Sequence, residues 1–195
     1  MTTSVSILNH AFKEWACVVE ALATGRQILI LRKGGIHEKG KKFNVLHESF
    51  FLFPTYEHQN EEDLNDDGKN LLKKVTAEHV QAKPDTLRIQ YFAEAKESLW
   101  VEDFGVLLKI QPFHIWSETA IKKRFEWSDH KGLYVIAVRV YRLPQANLSS
   151  LLPSYGGCKS WVDLASPIDP AGLQAVLPED KFNSYLLRVK KALSS

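Results

Sequence analysis

The chain has 195 residues, 45% of them hydrophobic and 25% charged, with 25 lysines and arginines against 23 aspartates and glutamates. That length and balance describe a folded domain with a continuous core and exclude wholesale disorder, while a formal charge of +2 implies no nucleic-acid partner without a local basic patch. No apolar run approaches the ~20 residues that span a bilayer, and the N-terminal MTTSVSILNHAFKEW lacks a basic segment followed by an apolar one. The two cysteines, Cys17 and Cys158, lie far apart without metal-ligand spacing. A cytoplasmic protein with free thiols and no membrane partner is expected.

From Ser6 to Thr24 the apolar positions Leu8, Phe12, Trp15, Val18, Val19 and Leu22 recur at helical spacing, which predicts one amphipathic helix ended by Gly25. Ile28 to Leu31 follows, apolar on both faces as in a central strand. A turn at Gly34-Gly35 and a polar connection lead to a second buried strand, Phe50 to Phe53, closed by Pro54. The acidic NEEDLNDDGKN reads as a solvated loop, with a short helix behind it around Leu71, Leu72 and Val75. Leu87, Ile89, Tyr91 and Ala93 then alternate with Arg88, Gln90, Phe92 and Glu94, the period of a half-buried strand. Val106 to Ile110 fits strand or helix, and Pro112 stops it.

Ser117 is the predicted N-cap of a helix whose first turn begins at Glu118 and whose Ile121 and Phe125 point inward. Leu133 to Leu143 is the longest strand signal, with Val138 and Val140 on one face and Arg139, Tyr141 and Leu143 on the other. Beyond Pro144 a loop-rich segment is expected, with a short strand at Trp161, Val162 and Leu164 and a brief helix opened by Asp169-Pro170. A last helix from about Glu179 places Phe182, Leu186, Val189 and Leu193 along one stripe. The order of elements predicts one α+β domain over residues 1–195, with a curved mixed or antiparallel sheet, helices at both ends, and partial likeness to barrels of the PUA and ASCH type. Trp15, Ile28, Ile30, Phe51, Phe53, Ile121, Phe125, Val138, Val140 and Leu186 are expected in a single cluster.

Candidate chemistry concentrates between Arg26 and Gln59, where each of three histidines has a glutamate beside it: His37 with Glu38, His47 with Glu48, and His58 with Glu57. Adjacent strand residues point to opposite faces, so any metal ligands must be collected across segments. One histidine from each of three segments plus Glu57 or Glu38 suits zinc or another divalent metal, the basis of a metal-dependent hydrolase or nuclease as one functional class. Tyr56, Glu57 and His58 are placed at the floor of the principal cleft, with His37 and His47 entering from adjoining turns and His114 a further candidate. Pro84-Asp85 with Glu94-Ala95-Lys96 matches the letters of the PD-(D/E)xK nuclease motif. However, nine extended steps separate Asp85 from Glu94 by roughly 30 Å, against about 5 Å between ligands of one ion. The other functional class is a nucleic-acid-binding domain for DNA or RNA, because Trp116, Lys122, Lys123, Arg124, Trp127, Arg139, Tyr141 and Arg142 interleave flat rings with cations.

The phrases FKEWACVVEAL, ILILRKGGIHE, FLFPTYEHQ, PFHIWS, RFEW and KGLYVIAVRVYRL together resemble a bacterial and cyanobacterial family built on a domain of unknown function, family 1802. The resemblance covers nearly the whole chain and implies no activity. Its implied association with restriction-endonuclease-like domains points toward nucleic acid, in bacterial defence or regulation.

Overall fold

A computed structural model describes residues 8–33, 47–83 and 85–194. Their elements run in the order β1 (Leu8–Trp15), α1 (Ala16–Ala23), β2 (Leu29–Arg32), β3 (Ser49–Thr55), α2 (Asp66–Gln81), β4 (Thr86–Val101), α3 (Phe104–Lys109), α4 (Glu118–Phe125), β5 (Leu133–Ser150), β6 (Trp161–Ile168), β7 (Gln174–Ala175) and α5 (Glu179–Leu193). The strands form one mixed sheet in the order β2-β5-β4-β3-β1-β6, with β7 added to β5. β1 runs parallel to β3, and every other pairing is antiparallel. This is the expected α+β domain, but the sheet stays open and does not close into a barrel. None of the described helices is long and apolar enough to cross a membrane.

The predicted helix from Ser6 is corrected, since Leu8–Trp15 is strand and only Ala16–Ala23 is helical. β1 is an inner strand with a partner on each side, so Ala11 and Phe12, which face opposite ways, are both buried. Pairing on both edges outweighs a helical spacing that only a few apolar residues carry. Gly25 ends α1 as expected, with φ +67°. A Cβ there would also lie 2.5 Å from Leu177 Cδ2, so both backbone conformation and space require glycine.

β2 is not central. Among the described residues it pairs only with β5, and Ile28 to Leu31 are buried because helices cover the sheet edge. β7 joins the same side of β5 further along, at Tyr141 and Arg142, so β2 and β7 lie in succession beside one long strand. β5 also runs on through Pro144 to Ser150, where a loop was expected. Its pairing with β4 jumps from Tyr91↔Arg142 to Ile89↔Asn147, leaving Leu143 to Ala146 opposite Gln90 alone. Pro144, with no N–H to donate, sits in that bulge, where the ladder needs no donor.

The bulge also changes which residues of β4 share a face. Leu87 and Ile89 join Phe92 on one side, while Tyr91 and Ala93 lie against the other, so the simple alternation read from the sequence breaks at Gln90. The single predicted core is corrected in the same way. Ile28, Ile30, Ile121, Phe125, Val138 and Val140 form one cluster, with Trp15 and Leu186 packed on it, whereas Phe51 and Phe53 belong to a second. Their neighbours Phe50 and Leu52 face the first. The reason is the two-residue period of β3 in a sheet covered on both sides. Residues of all five helices join the first cluster, while Tyr155, Leu143 and the β6 side chains Val162, Leu164 and Ile168 close the second.

The acidic loop is mostly helix, because Asn65 caps α2 by accepting from Gly68 N at 2.9 Å and Asp66 and Asp67 occupy its first turn. Acids there meet the positive end of the helix dipole. Ser117 caps α4 as predicted, and α5 starts at Glu179. Asp169 accepts from Ala171 N at 2.9 Å in a turn, and no helix follows Pro170.

Phe51 is fully buried, so Phe51→Ala should lower the unfolding free energy by about 3–5 kcal/mol. Asn65→Ala, which leaves Gly68 N uncapped, should cost ~1 kcal/mol. Urea titrations of the two variants against the parent protein measure both.

Candidate functional site

On the helix-covered face, the start of the chain and the end of β2 bring an ion pair out of water. Glu14 is 3% exposed. Its Oε1 accepts from Trp15 N at 2.8 Å, and its Oε2 pairs with Arg32 Nη2 at 3.1 Å. Arg32 also donates to the Lys13 carbonyl and lies 4.5 Å above the Phe12 ring, while its Nε is buried without a partner. A second guanidinium, from Arg124 of α4, stacks 3.5 Å from the ring centre of Trp116 and 5.7 Å from that of Trp15. The Arg124 guanidinium makes no hydrogen bond or ion pair with any described residue. Burial pushes its guanidinium down to about 10, Glu14 acting against the shift and Arg32 with it, so it remains charged at neutral pH. Two guanidinium groups thus lie near one buried carboxylate in aromatic surroundings, and only Arg32 is bonded to it.

The same surroundings silence two other reactive groups. Burial, then the charge of Glu14, pushes the Cys17 thiol up to about 12, which makes it a poor nucleophile. His114 is 4% exposed and accepts from Trp116 N through Nδ1 at 3.3 Å, while its Nε2 has no partner. Burial, reinforced by Arg124, lowers it to about 4, so it is neutral at physiological pH.

The expected histidine constellation is dispersed. His37 and Glu38, with the Gly34-Gly35 turn, lie outside the described residues. His47 stacks on His10 at 3.5 Å with planes 10° apart, and His10 in turn meets Asp163 at 2.7 Å. Trp161 closes on His47 edge-on at 5.2 Å. His58 is exposed on a turn with φ +60°, next to exposed Glu57, and His114 is enclosed by the helices. Among the described residues no group of three or more His, Cys, Asp or Glu is arranged to hold a metal ion. The nuclease-like letters fall at separate points of one strand. Asp85 precedes β4, whereas Glu94 binds Lys96 at 2.6 Å and the Tyr141 hydroxyl at 2.9 Å. The bulge at Gln90 does not fold the strand back, since pairing with β5 continues on either side of it.

The aromatic and basic residues divide among three places. Trp116 and Arg124 belong to the buried cluster. Lys122 and Lys123 are exposed on α4, Lys123 reaching Asp63 at 3.4 Å, and Trp127 just beyond is 78% exposed. Arg139, Tyr141 and Arg142 lie on β5. There Arg139 covers Phe182 at 5.4 Å, Tyr141 serves Glu94, and Arg142 is exposed.

A groove of about 550 Å³ opens elsewhere on the helix side. The β3–β4 ladder covers only Ser49–Phe51 against Phe92–Glu94, so Leu52 to Thr55 and Thr86 to Tyr91 diverge, with α2 above the gap. Leu52, Val19 and Val75 supply apolar lining; Tyr56, His79, Tyr91 and Arg88 supply polar groups. Of the predicted cleft residues that are described, Tyr56 alone lines it. Glu14, Arg32, Arg88, Tyr91 and His79 were not singled out from the sequence. Arg32 carried one usable signal, a charge attached to the apolar run Ile28 to Leu31.

His114 gives a pH signature. Its pKa is lower folded than the ordinary 6.5, so the unfolded chain binds the proton more readily. Its contribution is complete above pH 6.5 and is lost as pH falls toward about 4, a loss of at most about 3 kcal/mol. His114→Asn, which keeps an acceptor for Trp116 N, should flatten the decline of unfolding free energy over that window in urea titrations.

No curated protein and no solved structure matches the chain. The family described as a domain of unknown function (DUF1802) matches it over residues 11–186, which include the Glu14, Arg32 and Arg124 cluster and the whole groove. The chain therefore belongs to the DUF1802 family.

Proposed function

We propose that this domain binds a phosphate-bearing ligand at the Arg32–Arg124 cluster, and that the ligand is single-stranded nucleic acid. One observation carries the reading: Arg124 lies over Trp116 at 3.5 Å without a direct ion pair among the described residues, Glu14 and Asp63 acting on it only at a distance, beside an Arg32 that is bonded to the buried Glu14. Guanidinium groups match phosphate oxygens through paired N–H donors, and an arginine held by an indole loses little freedom on binding. Arg32 has its counter-ion in Glu14, so Arg124 is the cation left over. Exposed Lys122, Lys123 and Trp127, on and just beyond α4, offer further phosphate and stacking contacts. The family resemblance supports a setting in bacterial defence or regulation.

Fluorescence anisotropy with labelled single-stranded DNA and RNA at low salt tests the proposal. Affinity should fall steeply with added salt, because displaced counterions supply much of the free energy. Arg124→Ala should weaken binding about tenfold or more, a loss of about 1.4 kcal/mol, with the thermal midpoint measured alongside to verify folding. Absence of binding to every oligonucleotide at tens of micromolar protein would overturn it.

A further inference from the structure

We infer that the groove between α2 and the diverging ends of β3 and β4 is a separate binding site for a flat aromatic ring carrying an anionic group, as in a nucleoside monophosphate. Its volume, about 550 Å³, lies within the range of small-molecule sites. Tyr56 and His79 stack at 3.7 Å with their planes 9° apart, and Tyr56 is 38% exposed. A pair of parallel rings on a groove wall, partly open to solvent, presents a face on which a third ring continues the stack.

The charges of the groove select the second half of the ligand. Lys74 is held by Glu20 at 2.6 Å and lies 3.9 Å from Glu78, so it is engaged by the two carboxylates that also line the groove and is not free for a ligand. Arg88 has no carboxylate partner among the described residues. Its Nε and Nη2 donate to Gln90 Oε1, which fixes the guanidinium plane and leaves Nη1 unused. The fixed guanidinium, with no direct ion pair among the described residues and at a distance from the Lys74-bound carboxylates, lines a groove that also presents rings, the pairing that an aromatic anion satisfies. Neither the Tyr56 nor the Tyr91 hydroxyl donates to another described residue. Burial raises both phenols, so they stay protonated and act as donors to ring or ribose acceptors. The carboxylates also act on the phenols, Glu78 and Glu20 raising Tyr56 and Glu20 raising Tyr91, while Arg88 lowers both, so its charge too lies close to the two rings.

The opening has a backbone cause that makes it a stable feature. Pro54, which lacks a donor, lies past the last β3–β4 pair, and the bulge at Gln90 turns β4 on the opposite side of the gap. The strands do not zip together there, and α2 bridges them through Val75 instead.

Isothermal titration with adenosine and uridine monophosphates, run against adenosine alone and inorganic phosphate alone, tests the site. We expect dissociation constants of about 1 mM or tighter for a monophosphate, and binding about tenfold weaker when either ring or phosphate is missing. Tyr56→Leu and Arg88→Gln should each weaken the monophosphate about tenfold, whereas Tyr56→Trp, which keeps a stacking face, should retain it. Both residues are on the surface, and unchanged thermal midpoints would separate lost contacts from lost structure. A trinucleotide binding no tighter than the monophosphate would identify a free nucleotide as the ligand. One binding more than about tenfold tighter, and lost in Tyr56→Leu, would identify a base within a strand. No heat from any monophosphate at millimolar concentration, or titrations unaltered in both Tyr56→Leu and Arg88→Gln, would overturn the inference.

Discussion

Burial on both faces of the sheet is the constraint from which the rest of this structure follows. β3 is the clearest case, four consecutive large apolar residues with Phe50 and Leu52 given to the helices and Phe51 and Phe53 to the opposite layer. A strand of that kind must lie inside the sheet, and β1 beside it, with Ala11 and Phe12 buried on opposite sides, must do the same. Once both are internal, any polar group they carry is enclosed. Glu14 is the consequence. At 3% exposure a carboxylate needs a cation and hydrogen bonds, and Arg32 with the Trp15 amide supplies them.

Arg124 then raises the number of cations above the number of acids in one apolar neighbourhood. The indole beneath it compensates in part, since a ring face attracts a guanidinium. That arrangement leaves the N–H edges of Arg124 without a hydrogen-bond partner among the described residues, the observation on which the proposed binding role rests. Cys17 and His114, both held uncharged by the same enclosure, are poor candidates for nucleophile or proton carrier at neutral pH. What this face offers is buried charge and hydrogen-bond donors.

Much of the fold was legible from the residues. The strands at Ile28, Phe50, Leu87 and Leu133, the cap at Ser117 and the last helix came from periodicity and local capping chemistry, which short-range sequence contains. The failures share a cause. β1 was read as helix because its partners lie at Ser49–Thr55 and Trp161–Ile168, and no window of twenty residues holds them. The end of β5 was lost because Pro144 signals a break, and only the partner strand shows that a bulge absorbs it. The site was less legible than the fold. Trp116 and Arg124 were recognised by composition, but their relation to Glu14 and Arg32 is a contact between chain ends of three different elements. Histidine–glutamate adjacency carried no information about convergence, since neighbours along a strand diverge.

The position of β1 sets an order for the chain's assembly. This first described strand occupies an inner place in the sheet, yet one flank is filled only by Trp161–Ile168, and Leu177 must settle against Gly25 to close the end of α1. On a ribosome emitting residues in sequence, β1 and β3 can associate early, but β1 keeps an open edge until Trp161–Ile168 has emerged. An unpaired inner strand with buried-type side chains is a template for other chains. Vectorial synthesis therefore exposes this edge to misassociation until Trp161–Ile168 is available, and the long-range closure of the sheet waits on a partner about 150 residues away.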